Sequence, residues 1–327
     1  MNRTKNSLQF QEILDLIRQA QKVVICTHLA PDGDALGSML ALASLVKRFD
    51  KPVTMICHDR VPAYLRFLPG CEEIRLPAEA AGEQFDLALS IDASDLKRLG
   101  DSAVVFSAAG TRVQMDHHKT NDRFADYNLV LDELPASGSL MCRMMEAAGL
   151  ELTQNEAICL YSAITTDTGN LCFGSVSDET FEQLAALMRA GLPLVETARS
   201  LHLMREKEQV LMLGRALKSL QFFADGRLSM MKLTRKDYEE CGADISHTDK
   251  IVNYGLYLPG VQIACLAHEM EDGVKVSLRS IAPREVSGIA LSFGGGGHAQ
   301  AAGCSIHQPL EKAMEMVREA AERELNT

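Results

Sequence analysis

The sequence lacks the features that mark membrane and secreted proteins. It contains no run of about 18 consecutive apolar residues, so we expect no membrane span. Residues 1–20 have neither the apolar core nor the small-residue cleavage site of a signal peptide. Instead, Phe10, Ile13, Leu14 and Ile17 are spaced to share one side of an amphipathic helix.

Two further absences concern cysteine spacing and basic charge. The nine cysteines never form a C-x-x-C motif and several lie in apolar runs, which indicates buried, reduced thiols in a cytoplasmic protein. No run rich in lysine and arginine occurs, and the net charge is −11. Because proteins that bind duplex nucleic acid usually present a basic face, we expect no long nucleic acid as a partner. A short polyanion, bound by metal ions and a few cations, is compatible with this charge.

The length of 327 residues suits two domains. Apolar runs at 22–28, 52–58, 86–92 and 111–116 alternate with polar or helical segments, which predicts a parallel sheet covered by helices. Residues 137–223 are mostly helical in pattern, and strand-like and helical segments follow. We therefore predict an α/β protein: an N-terminal domain (1–192) with a mainly parallel sheet flanked by helices, a helical linker (193–223), and a smaller α/β domain (224–327) with a mixed sheet.

Ionisable residues follow three predicted strands of the first domain and one helical segment. They are His28, Asp32 and Asp34, then Asp92, then Asp116, His117 and His118, and finally Asp167. Because the carboxyl ends of parallel strands meet at one edge of a sheet, we expect these side chains to gather there. Each acid alone also fits a turn or a helix N-cap, so the prediction depends on their joint placement.

A group of carboxylates at one sheet edge requires positive charge. The carboxylates repel one another unless cations lie between them. Carboxylates mixed with imidazoles, with no cysteine at ligand spacing, favour Mn²⁺ or Mg²⁺ over a thiolate zinc site. Centres that hold two such ions, about 3.5–4 Å apart, commonly hydrolyse phosphate esters. The sequence therefore indicates metal-dependent phosphoester hydrolysis.

The same motifs carry a family resemblance. The H-x-x-x-D-x-D of THLAPDGD, the Asp of SIDAS, the DHH of MDHHKT and the Asp of TTDTG resemble the four motifs of the DHH phosphoesterase superfamily. The segments SLRS and FGGGGHAQAAG resemble its DHHA1 domain. Size and domain pair are similar to bacterial oligoribonucleases that also act as phosphatases of pAp (3′-phosphoadenosine 5′-phosphate). One segment, NLCFGSVSDET (170–180), departs from the pattern and leaves local substrate contacts open.

The resemblance implies a role for each candidate residue of the first domain. His28 and Asp32 would bind one Mn²⁺, and the other would be bound by Asp34, His117 and Asp167. Asp92 would bridge the two ions, with Mg²⁺ as the alternative metal. His118 would lie beside the scissile phosphate, and Asp116 would orient an imidazole rather than bind metal.

In the second domain the resemblance implies a substrate-binding site. The predicted residues are Arg279, Ser280, Gly295, Gly296, Gly297 and His298. Glycines let consecutive backbone N–H groups approach an anion, and the planar fork of arginine matches phosphate oxygens. This domain would hold the far end of a substrate while the first domain cuts it.

The expected function is that of a Mn²⁺-dependent phosphodiesterase, exoribonuclease and phosphatase. It would hydrolyse RNA of two to about five nucleotides, a length limited by a cleft with both ends occupied, and pAp to AMP. A hydroxide activated by two metal ions would attack the phosphate. Two alternatives stay open: a phosphodiesterase for cyclic di-AMP or pApA, and a catalytically inactive nucleotide-binding sensor. The partners would be short RNA and small nucleotides without a membrane, and the sequence leaves a homodimer open.

Overall fold

The computed structural model describes residues 3–172 and 174–326, with side chains for all of these except residues 3–8 and His298. The chain divides into two compact units, Met1–Met204 and Arg205–Thr327. In the described part, no helix combines the length and apolar character needed to cross a bilayer.

The first unit is built from alternating strands and helices. Its strands are β1 (Val23–Cys26), β2 (Val53–Ile56), β3 (Leu87–Ile91), β4 (Thr111–Asp116) and β5 (Tyr127–Val130). Its helices are α1 (Arg3–Gln19), α2 (Gly33–Arg48), α3 (Ser102–Ala108), α4 (Ser137–Ala147), α5 (Gln154–Asp167), α6 (Asp178–Arg189) and α7 (Leu194–Ala198). A π-helical turn, Arg199–Leu203, follows α7.

These strands form one parallel sheet in the order β2-β1-β3-β4-β5. The strand order reverses at β1, because β2 lies on one side of it and β3 to β5 lie on the other. In open α/β sheets, ligands bind beyond the carboxyl ends of the strands at such a switch point. The loops that carry His28 and Asp92 leave the sheet there, after β1 and β3. The predicted parallel sheet is confirmed.

Both faces of this sheet are covered, which explains the uninterrupted apolar runs. In β1, Val23 and Ile25 belong to the larger core beneath α2, α4 and α5, whereas Val24 and Cys26 belong to a smaller core that includes residues of α3. Side chains alternate between the two faces of a strand, so a strand covered on both sides must be apolar at every position.

Two glycines of α2 let the backbone of this helix pack directly against α5. A Cβ atom at Gly37 would lie 2.3 Å from the carbonyl oxygen of Cys159, and one at Gly33 would lie 2.1 Å from Oγ1 of Thr166. Any larger residue would force the two helices apart at these positions. The close packing brings the first turn of α2 beside the last turn of α5, and therefore places Asp34 near Asp167.

The second unit has a mixed sheet. Its strands are β6 (Gln221–Phe223), β7 (Leu228–Leu233), β8 (Ile263–Met270), β9 (Gly273–Ser280), β10 (Gly296–His298) and β11 (Ala301–Ile306). Its helices are α8 (Lys207–Lys218), α9 (Arg235–Cys241), α10 (Ile251–Leu256), α11 (Ser287–Ser292) and α12 (Leu310–Leu325). The strand order is β10-β11-β9-β8-β7-β6, and only the β7–β8 pair is parallel among the described strands. The predicted α/β unit with a mixed sheet is confirmed.

The end of the segment predicted as a helical linker, 193–223, is a strand. Helix α8 stops at Lys218, and Gln221–Phe223 pairs with β7 across a turn in which Ala224, Asp225 and Gly226 all have positive φ. In the sequence, the apolar spacing of α8 continues into Phe222 and Phe223, but Phe223 packs against the core of the second unit as a strand residue. Helical periodicity alone therefore placed the helix end too late.

Candidate active site

The ionisable residues that follow β1, β3 and β4 come together at the carboxyl edge of the parallel sheet. Three sets of ligand atoms each lie within 4.8 Å of one another: His28, Asp32 and Asp92; Asp34, His117 and Asp167; and Asp92, His117 and His118. These sets contain every residue of the first unit that the sequence predicts as a metal ligand. The predicted gathering of the side chains is what the structure shows.

The first set is centred on His28, which is buried. Its Nε2 lies 3.9 Å from Oδ1 of Asp32 and 3.5 Å from Oδ2 of Asp92. Its Nδ1 lies 2.7 Å from the backbone oxygen of Leu29, and because a carbonyl only accepts, Nδ1 carries a hydrogen. In the neutral ring, the Nε2 lone pair therefore faces the two carboxylates. Asp32 also caps α2 by accepting hydrogen bonds from the backbone N–H groups of Asp34 and Ala35.

The second set is centred on His117. Its Nε2 lies 3.7 Å from Oδ2 of Asp34, 3.6 Å from Oδ1 of Asp92 and 3.4 Å from Oδ2 of Asp167. Its Nδ1 donates to the backbone oxygen of Leu134 at 3.3 Å, so the lone pair of the neutral ring lies on Nε2. Among the described residues this buried Nε2 has no hydrogen-bond partner. A buried acceptor without a partner, surrounded by carboxylate oxygens, is what a cation site requires.

Asp92 faces both sets with different oxygens. Its Oδ2 is the oxygen near His28, and its Oδ1 is the oxygen near His117. The residue follows β3 with a φ of 60°, in the left-handed region that aspartate tolerates better than most residues. It does not cap the next helical turn, because Asp95 does so. This arrangement is that of a carboxylate able to bridge two cations.

The charges of the site are unbalanced without cations. Burial raises the pKa of Asp34 well above its usual value, and the charges of Asp92 and Asp167 raise it further. Burial also raises the pKa of Asp167, to about 6. For Asp92, burial acts in the same direction, but in the metal-free site the charged forms of the histidines outweigh it: a hydrogen bond from protonated His28 and the nearby imidazole charges hold the pKa of Asp92 below the usual range. Bound divalent cations would stabilise the charged carboxylates and so offset both the burial and the repulsion that raise the pKa values of Asp34 and Asp167.

His118 lies in a different environment from its neighbour. Its Nδ1 donates to Oδ1 of Asp116 at 2.8 Å, and the other oxygen of Asp116 accepts from Nδ2 of Asn121. In the metal-free site, the hydrogen bond to Asp116 raises the pKa of His118 to about 9, which favours the imidazolium form of the ring. Its side chain is 34% exposed, whereas that of His117 is 12% exposed. The two adjacent histidines are therefore not equivalent: one faces the carboxylates, and the other is held by Asp116 with its Nε2 available.

The donor set fits divalent cations with a preference for oxygen and nitrogen ligands. It contains four carboxylates and two imidazole nitrogens, Nε2 of His28 and Nε2 of His117. No cysteine belongs to any of the sets in the described chain. Hard or borderline ions such as Mn²⁺ and Mg²⁺ prefer these ligands. The Nε2 of His117 supports the same assignment, because a bound cation would give this buried atom a partner that it lacks among the described residues.

Known proteins with similar sequences place the chain in a family. A model of the DHH family N-terminal domain matches residues 22–164, and a model of the DHHA1 domain matches residues 238–327. A protein of Thermus thermophilus named bifunctional oligoribonuclease and PAP phosphatase NrnA is 31% identical over 97% of this chain and 96% of its own. The chain belongs to the DHH family. The resemblance carried by the sequence motifs is thus confirmed.

Two further proteins are similar to the chain over nearly its whole length. The protein of the same name from Bacillus subtilis is 24% identical over 90% of this chain and 93% of its own. The solved structure of an exopolyphosphatase-related protein from Bacteroides fragilis is 24% identical, with a TM-score of 0.91 over 97% of this chain and 96% of that one. This last likeness shows that the fold is shared.

In the DHHA1 region, the predicted substrate residues lie on β9 and at or just before β10, and β11 separates these two strands. Arg279 of β9 and His298 of β10 are both in register with Ala301 of β11, which lies between them. The side chain of His298 lies outside the described residues. Ser280 is buried, and its hydroxyl donates to the backbone oxygen of Arg284 at 2.7 Å.

The glycine run of this region is not an open loop. Gly296–His298 is an edge strand, and a Cβ atom at Gly295 would lie 2.2 Å from the carbonyl oxygen of Gly303. Gly297 has a φ of 145°, which favours glycine, and a Cβ there would lie 2.5 Å from the carbonyl oxygen of Ala301. These glycines thus allow a close approach of β10 to β11. Their contact with an anion stays a prediction.

The sequence did not single out the residues that hold the candidate ligands in place. Asn121 donates to Asp116, and the backbone N–H groups of Ser137 and Gly138 donate to Asp34. Only Asn121 carried a local signal, as the polar residue that ends the MDHHKTN segment. Ser137 opens a helix, where serine is common for other reasons.

Proposed function

We propose that this DHH-family protein is a metal-dependent phosphoesterase that hydrolyses RNA of a few nucleotides to mononucleotides and pAp to AMP. The observation that carries the proposal is the position of Asp92, whose two oxygens face two separate histidine–carboxylate sets. Relatives whose names describe oligoribonuclease and PAP phosphatase activity cover nearly the whole chain, which supports these substrates.

The ligands would divide between two cations. His28 and Asp32 would hold one, Asp34, His117 and Asp167 would hold the other, and Asp92 would contact both. Bound Mn²⁺ or Mg²⁺ would neutralise phosphate charge and lower the pKa of a water molecule enough for it to act as a nucleophile near neutral pH.

The residues of the chain would then orient the substrate and stabilise developing charge. The imidazolium of His118 offers Nε2–H as a donor to a phosphoryl oxygen or to the leaving oxygen, because Nδ1 is engaged by Asp116. Proton donation to the leaving oxygen would be general acid catalysis, and a hydrogen bond to a phosphoryl oxygen would stabilise its negative charge. Asp116 would keep the ring charged and aligned, because its Oδ1 accepts from Nδ1 of His118 and its Oδ2 accepts from Nδ2 of Asn121.

Arg279 would anchor a phosphate that does not react. Its guanidinium is half-buried, and burial lowers its pKa. One of its N–H groups donates to the carbonyl oxygen of Leu278, and among the described residues no carboxylate forms an ion pair with it. The charge of Asp249 acts on Arg279 without an ion-pair contact, and a half-buried cation that no carboxylate contacts is suited to bind an anionic ligand.

The test is to measure turnover of a panel of substrates by the wild-type protein with Mn²⁺. The panel would contain pAp, RNA of two to five nucleotides, pApA, cyclic di-AMP and a long RNA, and Asp92→Asn would be the matched inactive control. We expect turnover of pAp and the short RNA, and little of the long RNA. Preferred turnover of pApA or cyclic di-AMP would replace the proposed substrates, and nucleotide binding without any turnover would refute an enzymatic function.

A further inference from the structure

The first turn of α4 holds a carboxylate that comes from another helix. The backbone N–H of Ser137 donates to Oδ2 of Asp34 at 2.7 Å, and that of Gly138 donates to Oδ1 at 2.8 Å. The residue at the N-cap of α4, Ala136, has no side chain that could cap the helix. Asp34 therefore satisfies N–H groups that a helix start normally leaves without partners.

Ser137 also contacts Asp92, the candidate ligand that faces both sets. Its hydroxyl donates to Oδ1 of Asp92 at 2.9 Å, and the residue is completely buried. Ser137 thus joins Asp34 through its backbone and Asp92 through its side chain.

The two oxygens of Asp34 differ in the number of hydrogen bonds that they accept. Oδ1 accepts from the N–H of Gly138 and, at 3.0 Å, from the hydroxyl of Ser38, which occupies both of its lone pairs. Oδ2 accepts only from Ser137, so one lone pair remains on it. This oxygen is the one that lies 3.7 Å from Nε2 of His117. The arrangement selects Oδ2 as the oxygen that can bind a cation.

We propose that Ser137 is a positioning residue, which orients Asp34 and Asp92 so that each presents one oxygen to a cation. The proposal rests on the proposed function, because it assumes that these carboxylates bind metal. Ser137 itself touches neither metal nor substrate in this account. Partners that orient metal ligands typically change metal affinity by about 10–100-fold when they are removed.

The same helix supplies a matched control. Ser139 lies two positions further along α4 and is as completely buried, but its hydroxyl has no hydrogen-bond partner among the described residues. Ser137→Ala and Ser139→Ala therefore remove the same group from the same helix at the same burial. Only the first removes a donor to a candidate ligand.

A proline variant tests the backbone donor as well. Ser137 is the first residue of α4, a position that accepts proline, and Ala136 has an extended backbone (φ −162°, ψ 155°), as a residue before proline requires. Ser137→Pro keeps the helix start but removes both the hydroxyl and the N–H that Asp34 accepts. The difference between the Pro and Ala variants reports the backbone contact.

The experiment is calorimetric titration of Mn²⁺ into the metal-free proteins, with urea unfolding to confirm that each is folded. We expect Mn²⁺ affinity to be unchanged in Ser139→Ala, about 10–100-fold weaker in Ser137→Ala, and weaker still in Ser137→Pro. Excess Mn²⁺ should restore most of the kcat of Ser137→Ala. Equal affinities in the wild type and both alanine variants would overturn the positioning role. A wild type that binds Mn²⁺ but cleaves no RNA would contradict only the proposed function.

Discussion

Replacing each of the two adjacent histidines by alanine should have a different effect, on kcat for His118 and on metal binding for His117. Nε2 of His117 lies within 3.7 Å of three carboxylate oxygens, whereas Nδ1 of His118 is held by Asp116 at 2.8 Å. His118→Ala should keep both metal ions and lower kcat. The expected loss is about 10²–10⁴-fold, or about 3–5 kcal/mol of transition-state stabilisation, which is the usual contribution of general acid catalysis.

His117→Ala should instead weaken metal binding. The variant removes Nε2 of His117, which has no hydrogen-bond partner among the described residues and is therefore available as a metal ligand. Alanine offers no ligand atom in its place. We expect at least about a 10-fold loss of Mn²⁺ affinity, since even indirect partners of a metal contribute that much. Excess Mn²⁺ should restore part of the rate.

The assay is the initial rate on a dinucleotide across a range of Mn²⁺ concentrations, with bound Mn²⁺ measured by equilibrium dialysis. Asp116→Asn is the control that keeps the ring of His118 but removes the charge that raises its pKa. Bound cations lower the pKa of His118 in the wild type and in Asp116→Asn alike, so the prediction compares the two proteins. As the pH is raised, the rate should begin to fall at a lower pH in Asp116→Asn than in the wild type. If His118→Ala loses metal and His117→Ala keeps it, the assignment of the two rings is reversed.

Three further predictions concern other parts of the molecule. Asp92→Asn should lose at least one Mn²⁺ and nearly all turnover while remaining folded, and two ions with a normal rate would contradict the bridging role. Arg279→Ala should lower kcat/KM on dinucleotides by about 10–100-fold but hardly change hydrolysis of a small phosphodiester, and equal losses would count against an anchoring role. Burial lowers the pKa of His268 to about 4 in the folded protein, whereas an unfolded chain has a histidine pKa of about 6.5. Below about pH 6.5 the unfolded state is therefore protonated while the folded state is not, and the free energy of unfolding falls. Urea unfolding should show about 2 kcal/mol less destabilisation between pH 7 and pH 5 in His268→Gln than in the wild type, and equal destabilisation would refute this.

Much of the fold could be predicted because the strands that carry the site are buried on both faces. Such strands are continuous apolar runs, and their alternation with helices implies a parallel sheet. Strand β5 was not predicted, because it has four residues and an exposed Tyr127 at its start. Strands β10 and β11 were not predicted either, because glycine and alanine give them no apolar pattern and their pairing depends on backbone approach.

The candidate ligands could be predicted for the same reason, whereas their supports could not. His28 and Asp92 follow strands that the topology places side by side, so their meeting follows from the sheet. Ser137 reaches Asp92 across 45 positions and Asp34 across 103, and no spacing in the sequence announces either contact. Such contacts depend on how α2, α4 and α5 pack, which only the folded chain determines.

The central claim is that two cations share Asp92 at the edge of the parallel sheet. Anomalous diffraction at the manganese edge, from crystals of the wild-type protein grown with Mn²⁺, tests it most directly. We expect two peaks, one beside His28 and Asp32 and the other beside His117 and Asp167, both in contact with Asp92. A single peak, or two peaks that Asp92 does not touch, would contradict it.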